Sequence, residues 1–262
     1  MIEILFIAKI LTSIIFVVAL SVIAENVSPK VAGILSGFPL GTAIALFFIG
    51  IENGKDFAAN SAIYTLSGFS ASLVLVYFYY KISSLITTRH NVLVSSIIAI
   101  IAFSLVAKTL SLFSLGLVGG FIISVGSIIY FSLKFRIIEN TVVVKKIRFT
   151  QWVLLIRALV AAAIVLFITG IAKLVGSNVA GILSAFPITL FPFLVIIHLT
   201  YGKEQVHTII KHYPSGLGAL ITYVISVSYT YPLFGVVNGT LLSFLFAIIY
   251  LVLFFIFTKI RR

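Results

Sequence analysis

Lys9 and Arg157 stand where a hydrophobic chain does not carry charge without cost. Each lies a few residues inside an apolar run, in ILFIAKILTSII and QWVLLIRALVAA. A basic side chain at the centre of a membrane-spanning helix costs roughly 2.5–3.5 kcal/mol, and less when it snorkels to the interface. Two readings stay open. The pair can meet a ligand with an anionic or strongly hydrogen-bond-accepting group, or each can reach an interface and do nothing more. Charge kept at matched places in two otherwise diverged helices favours a shared role.

The second constellation is a block that occurs twice. Val31–Pro39 reads VAGILSGFP and Val179–Pro187 reads VAGILSAFP, identical at eight of nine positions. Pro39 and Pro187 cannot donate a backbone hydrogen bond, so a carbonyl near Leu35 and another near Leu183 are expected to be freed. In lipid such a carbonyl must face protein, water or a ligand. Ser36 and Ser184 add a hydroxyl beside each proline. Gly33 and Gly37, and Gly181 and Ala185, are small residues four apart that admit close helix approach. The two copies are expected to meet through these faces. The block fits a broken helix at a central site, and it fits a proline-kinked packing helix. Lys9, Arg157, Ser36, Ser184, Pro39 and Pro187 are the candidate substrate-binding residues.

The remaining titratable groups narrow the chemistry. Glu3, Glu25, Glu52, Asp56, Glu139 and Glu204 fall at span ends or in loops. No carboxylate is therefore expected mid-membrane to bind a cation, carry a coupling proton or neutralise Lys9 or Arg157. A bound species is then expected to be anionic, or to present an anionic or strongly hydrogen-bond-accepting group. His198, His207 and His212 fall at or near span ends and read as interfacial polar residues, able to titrate near neutral pH. There is no cysteine, which excludes disulfides, thiolate metal sites and cysteine nucleophiles. HExxH, GxSxG and paired-acid patterns are absent. No enzyme, cofactor or metal site is expected.

These residues are carried by apolar spans. Of 262 residues 61% are apolar and 9% are charged, with mean hydropathy +1.28, against about 25% charged in a soluble domain. Nine spans are expected, at 4–24, 31–50, 57–80, 91–110, 112–133, 152–175, 179–199, 208–230 and 234–257. Each can cross a hydrocarbon core of about 30 Å. The first lacks the basic leader and cleavage site of a signal peptide and is expected to be retained. The net charge of +12 lies in short clusters between spans, a pattern that sets orientation and does not imply nucleic acid. With the C-terminus inside, thirteen basic residues fall on the cytoplasmic side and three, Lys55, Lys108 and Lys173, on the other. That predicts a cell-membrane protein with its N-terminus out and its C-terminus in.

The repeated block belongs to a longer register. At an offset of 148 residues, Lys9 meets Arg157, Gly54-Lys55-Asp56 meets Gly202-Lys203-Glu204, and Ser67-Gly68 meets Ser215-Gly216. Both Gly-Lys-acid triplets read as turns, with glycine ending one helix and the acid in the first turn of the next. The register covers spans 1–4 and 6–9 and leaves span 5 unpaired. An odd span between two four-span units reverses the second, so a 4+1+4 inverted-topology repeat is expected. Its units are residues 1–111 and 149–262, with an inverting helix and basic cytoplasmic loop at 112–148.

From Arg157-Ala158-Leu159 through Ala180-Gly181-Ile182, Phe186-Pro187 and Gly202-Lys203-Glu204 to Gly235, the second half resembles the GlpM-like family. These are small four-span inner-membrane proteins of bacteria. The resemblance implies a four-span unit with a basic residue early in its first helix, two copies being fused here, and supplies no catalytic residues. By analogy, the 4+1+4 plan is similar to fused fluoride channels, whose polar motifs are not evident. Small multidrug transporters also pair four-span units but use a mid-membrane Glu absent here. The expected function is a small transporter or channel with its pathway between the repeats, for a small anionic or polar solute. The alternative is a non-transporting membrane scaffold or assembly protein. Expected partners are the lipid bilayer and the solute, with the chain a monomer or small homo-oligomer.

Overall fold

The computed structural model describes residues 2–25, 27, 29–88, 90–139 and 150–260, and every element in them is a helix. Along the chain these are α1 (Ile2–Glu25), α2 (Pro29–Leu35), α3 (Leu40–Asn53), α4 (Lys55–Leu85) and α5 (Asn91–Ser111). They are followed by α6 (Gly116–Phe135), α7 (Gln151–Ser184), α8 (Leu190–Tyr201) and α9 (Lys203–Ile260). Six segments of the described residues are long and apolar enough to cross a membrane. The chain is an all-α, multi-pass membrane protein. The basic residues Arg89, Lys145, Lys146, Arg148, Arg261 and Arg262 lie outside the described residues.

Helix breaks set the architecture. The run expected as span 31–50 is two helices, α2 and α3, separated by a turn at Ser36–Pro39. The end of α7 and α8 are divided in the same way at Pro187. Gly176 interrupts α7 and Gly235 interrupts α9, with φ of 79° and 77°. At Gly235 the chain doubles back on itself. Thr230 Oγ1 donates to the Gly239 carbonyl at 3.1 Å, the Tyr223 and Phe244 rings lie 4.9 Å apart, and Gly218 faces the Tyr250 ring. The expected spans 208–230 and 234–257 are thus the two antiparallel arms of α9.

Gly54 and Gly202 act as the triplets predict. Their φ values are 95° and 90°, a conformation glycine adopts without steric cost. Each N–H caps the helix before it, onto the Gly50 and His198 carbonyls.

Helix α4 packs against α5, α6, α7 and α9. It does so with small and hydroxylated residues, among them buried Ser61, Thr65, Ser67, Gly68 and Ser72. Between membrane helices such residues give close backbone approach and interhelical hydrogen bonds, where apolar burial alone offers little. Helix α6 rests on the same helix: Gly120 sits against Ile63 and Leu66, and Ser124 Oγ donates to the Leu66 carbonyl.

Candidate functional site

The two Phe-Pro turns have matching backbones. Phe38 N–H donates to the Leu35 carbonyl at 2.9 Å and Phe186 N–H to the Leu183 carbonyl at 2.9 Å. Ala43 N–H then reaches the Pro39 carbonyl and Phe191 N–H the Pro187 carbonyl, both at 2.8 Å. This corrects one expectation. The carbonyls that proline was expected to free are taken by tight turns of the chain itself, which meets the demand for satisfied backbone groups in lipid. Ser36 and Ser184 are buried, and their hydroxyls donate back to the Ala32 and Ala180 carbonyls at 2.8 Å.

The small faces pack as expected, each against a helix of the other half. Gly33 lies against Ile209 and His212, and Gly37 against Gly216. Gly181 lies against Ser61, and Gly68 against Ile182 and Ala185. At none of these glycines is there room for a Cβ without movement of backbone. The contacts correspond through the 148-residue offset, since Ile209 follows Ser61 by that distance and Gly216 follows Gly68. Thr65 and Ser72 lock one side further, donating to the Gly181 and Ala185 carbonyls. Between these contacts Gly41 meets Ile188 and Thr189, so a residue touches its own counterpart.

Lys9 and Arg157 are both buried, at 5% and 0% exposure. Their surroundings differ. Lys9 Nζ forms an ion pair with Glu52 Oε1 at 2.7 Å and lies 5.9 Å from the Phe48 ring centroid. The expectation that no acid neutralises Lys9 is therefore wrong. Glu52 closes α3 at the same end of the bundle as the first turns of α1, within reach of the ammonium. In the second half Thr200 stands at the position matching Glu52. Arg157 instead donates through Nη2 to the Thr189 carbonyl at 3.3 Å and stacks over Phe193, 4.5 Å from the ring centroid. Its guanidinium is thus delivered to the second Phe-Pro turn, at the residue that meets Gly41.

The histidines are more than interfacial. His198 is buried, and its Nδ1 lies 3.0 Å from the Tyr79 hydroxyl. His207 Nε2 lies 2.8 Å from Ser83 Oγ and its ring packs edge-on to Tyr80 at 4.7 Å. Asn91 Nδ2 donates to the Ser83 carbonyl at 3.0 Å, and Ser95 Oγ to Asn91 Oδ1 at 2.9 Å. This network joins α4, α5, α8 and α9. No local motif announces the histidine bonds, because Tyr79–His198 and Ser83–His207 each join segments more than 100 residues apart.

Two cavities flank the paired turns. One, of about 440 Å³, lies between α1, α3 and the second arm of α9. The other, of about 490 Å³, lies between α7, α8 and α5. Their walls correspond through the same offset: Phe16 with Ile164, Phe38 with Phe186, Ala43 with Phe191, Ile248 with Ile100. Both are apolar, and neither is lined by Lys9 or Arg157. Compared with known proteins, the chain matches no family model, no curated protein and no solved structure.

Proposed function

We propose that the protein is a small transporter or channel for a small anionic or polar solute, with its pathway between two four-helix repeats. The repeats, residues 1–111 and 149–262, cross the membrane in opposite directions through nine spans, N-terminus out and C-terminus in the cytoplasm. Residues 112–148 supply the inverting helix and a basic loop. The likeness of each unit to the GlpM-like family is part of this reading. It requires no catalytic chemistry and no cofactor.

The topology is supported by which ends touch. Lys55 Nζ donates to the Pro232 carbonyl at 2.7 Å and Asn60 to Ser177 Oγ at 2.7 Å; nine spans put Lys55, Pro232 and Ser177 outside, with Asn60 in the first turn of the span that starts there. Lys211 donates to the Ile138 carbonyl, and His207 meets Ser83; nine spans put Ile138, His207 and Ser83 inside, with Lys211 in the first turn of the span that starts there.

The observation that carries the function is Arg157, a fully buried cation held on the Thr189 carbonyl where the paired helix breaks meet. A buried charge within a span, beside a break between two repeats, is a common arrangement for solute binding in transporters. Lys9 contributes less, because Glu52 balances its charge. Flux of small anions in liposomes tests this. Arg157→Met is expected to lower flux about tenfold or more, since losing ~1.4 kcal/mol of interaction is a decade. Lys9→Met is expected to change it by less. A folded Arg157→Met protein that conducts at the wild-type rate, or a solute that proves to be a cation, contradicts the reading. The scaffold alternative is favoured by one observation, that both cavities are apolar and neither reaches Lys9 or Arg157. It predicts no flux from folded wild type.

A further inference from the structure

We propose that the two matched cavities each bind one hydrocarbon chain of a bilayer lipid, which enters sideways and packs against the Phe-Pro turn. Three properties identify the occupant.

The first is polarity. The hydroxyls on the walls are already bonded. Thr12 donates to the Ala8 carbonyl, Thr240 to the Val236 carbonyl and Ser104 to the Ile100 carbonyl. A buried water needs two to four polar partners, and an apolar void offers none. Water and polar solutes are therefore excluded.

The second is access. The rims are outward-facing and apolar: Leu241 is 65% exposed, Ile248 47% and Phe167 62%. They continue into the exposed apolar faces of α1, α5 and the second arm of α9, where Leu11, Ile97 and Leu245 are exposed. In a membrane protein that surface meets lipid chains, so each mouth opens onto hydrocarbon and not onto water.

The third is size. The two cavities hold about 440 and 490 Å³. The same volume is about three times the ~150 Å³ void that takes up benzene, which suits a flexible chain.

The floor gives the site a consequence. Phe38 and Phe186, the residues before Pro39 and Pro187, line the two cavities; Phe38 packs tilted on Phe244 at 5.9 Å and Phe186 edge-on to Phe103 at 5.1 Å. A chain in either cavity braces a helix break directly. Lipid occupancy is thereby tied to the turns that bring the two halves together.

Native mass spectrometry of the protein exchanged into mild detergent with dioleoyl phosphatidylcholine tests the proposal. Wild type is expected to retain two lipids per chain. Thr12→Phe and Ala163→Phe, each filling one cavity from its wall, are each expected to lose one, and the double variant both. An unchanged lipid count in the folded double variant overturns the proposal. So does a protein dimer that these substitutions dissolve, which would assign the cavities to a second copy. A diazirine placed mid-chain on the same lipid gives a wild-type measurement that does not depend on folding of the variants. Crosslinks confined to peptides of α1, α3, α5, α7 and the second arm of α9 are expected, and labelling spread evenly over the exposed faces refutes the sites.

Discussion

At 2.7 Å from Glu52, the Lys9 ammonium has its charge balanced within one half of the molecule. The two partners do not depend on each other equally. Lys9 is almost fully buried, whereas the Glu52 side chain keeps 27% of its surface exposed and can find other polar company. Removing one partner of a buried pair strands the other, while removing both is often tolerated. Glu52→Gln is therefore expected to cost up to about 3 kcal/mol, the scale for an uncompensated charge in a span. Lys9→Met is expected to cost less, and the double variant to recover most of the loss. Thermal unfolding of the four proteins in detergent checks the cycle, and equal effects of both single substitutions would contradict it. The candidate basic residues were legible in sequence because a charge inside an apolar run is conspicuous. Glu52 was read as a span-end residue, and its partner lies 43 positions away. The signal was present all the same: Lys9 opens the first span and Glu52 closes the second, so both approach one membrane face.

The helix breaks are the element-scale counterpart. Two copies of one nine-residue block make the same turn, with the same donors and acceptors, because proline removes a ladder hydrogen bond at the same place in each. The small residues before the proline were legible as close-approach faces. Their partners, Gly68 and Gly216, appeared only as matched pairs in the register, since glycine within a polar-rich helix does not reveal what crosses it. Gly33→Leu and Gly181→Leu each force a large side chain onto the backbone of a facing helix. Overpacking of this kind costs about 1–3 kcal/mol, occasionally more. Both variants are expected to melt lower and express less than wild type, and unchanged melting of both would refute the packing. The sequence left spans 2 and 7 open between a broken and a kinked helix, and the turns stop them outright. A proline in an apolar run kinks or breaks a helix, and only the Phe38 and Phe186 bonds to the preceding carbonyls distinguish the two.

For the whole molecule, the account rests on one geometric claim, that the halves cross the membrane in opposite directions. The all-α, multi-pass character follows from composition and length of the apolar runs, both visible in sequence. The proposed direction of the second half is read from the unpaired helix between the repeats and from the distribution of basic residues. Part of that charge, at Lys145, Lys146 and Arg148, lies outside the described residues. The candidate site was less legible, because it depends on which residue of one half touches which of the other. The direct test uses the absence of native cysteine. Lys55 and Lys203 occupy matching positions, each following the glycine that caps a helix. Single cysteines at the two sites, probed with a membrane-impermeant maleimide on intact cells and on inverted vesicles, report the side of each. The account predicts labelling of Lys55→Cys from outside and Lys203→Cys from inside. Labelling of both from the same side would make the repeats parallel and contradict it.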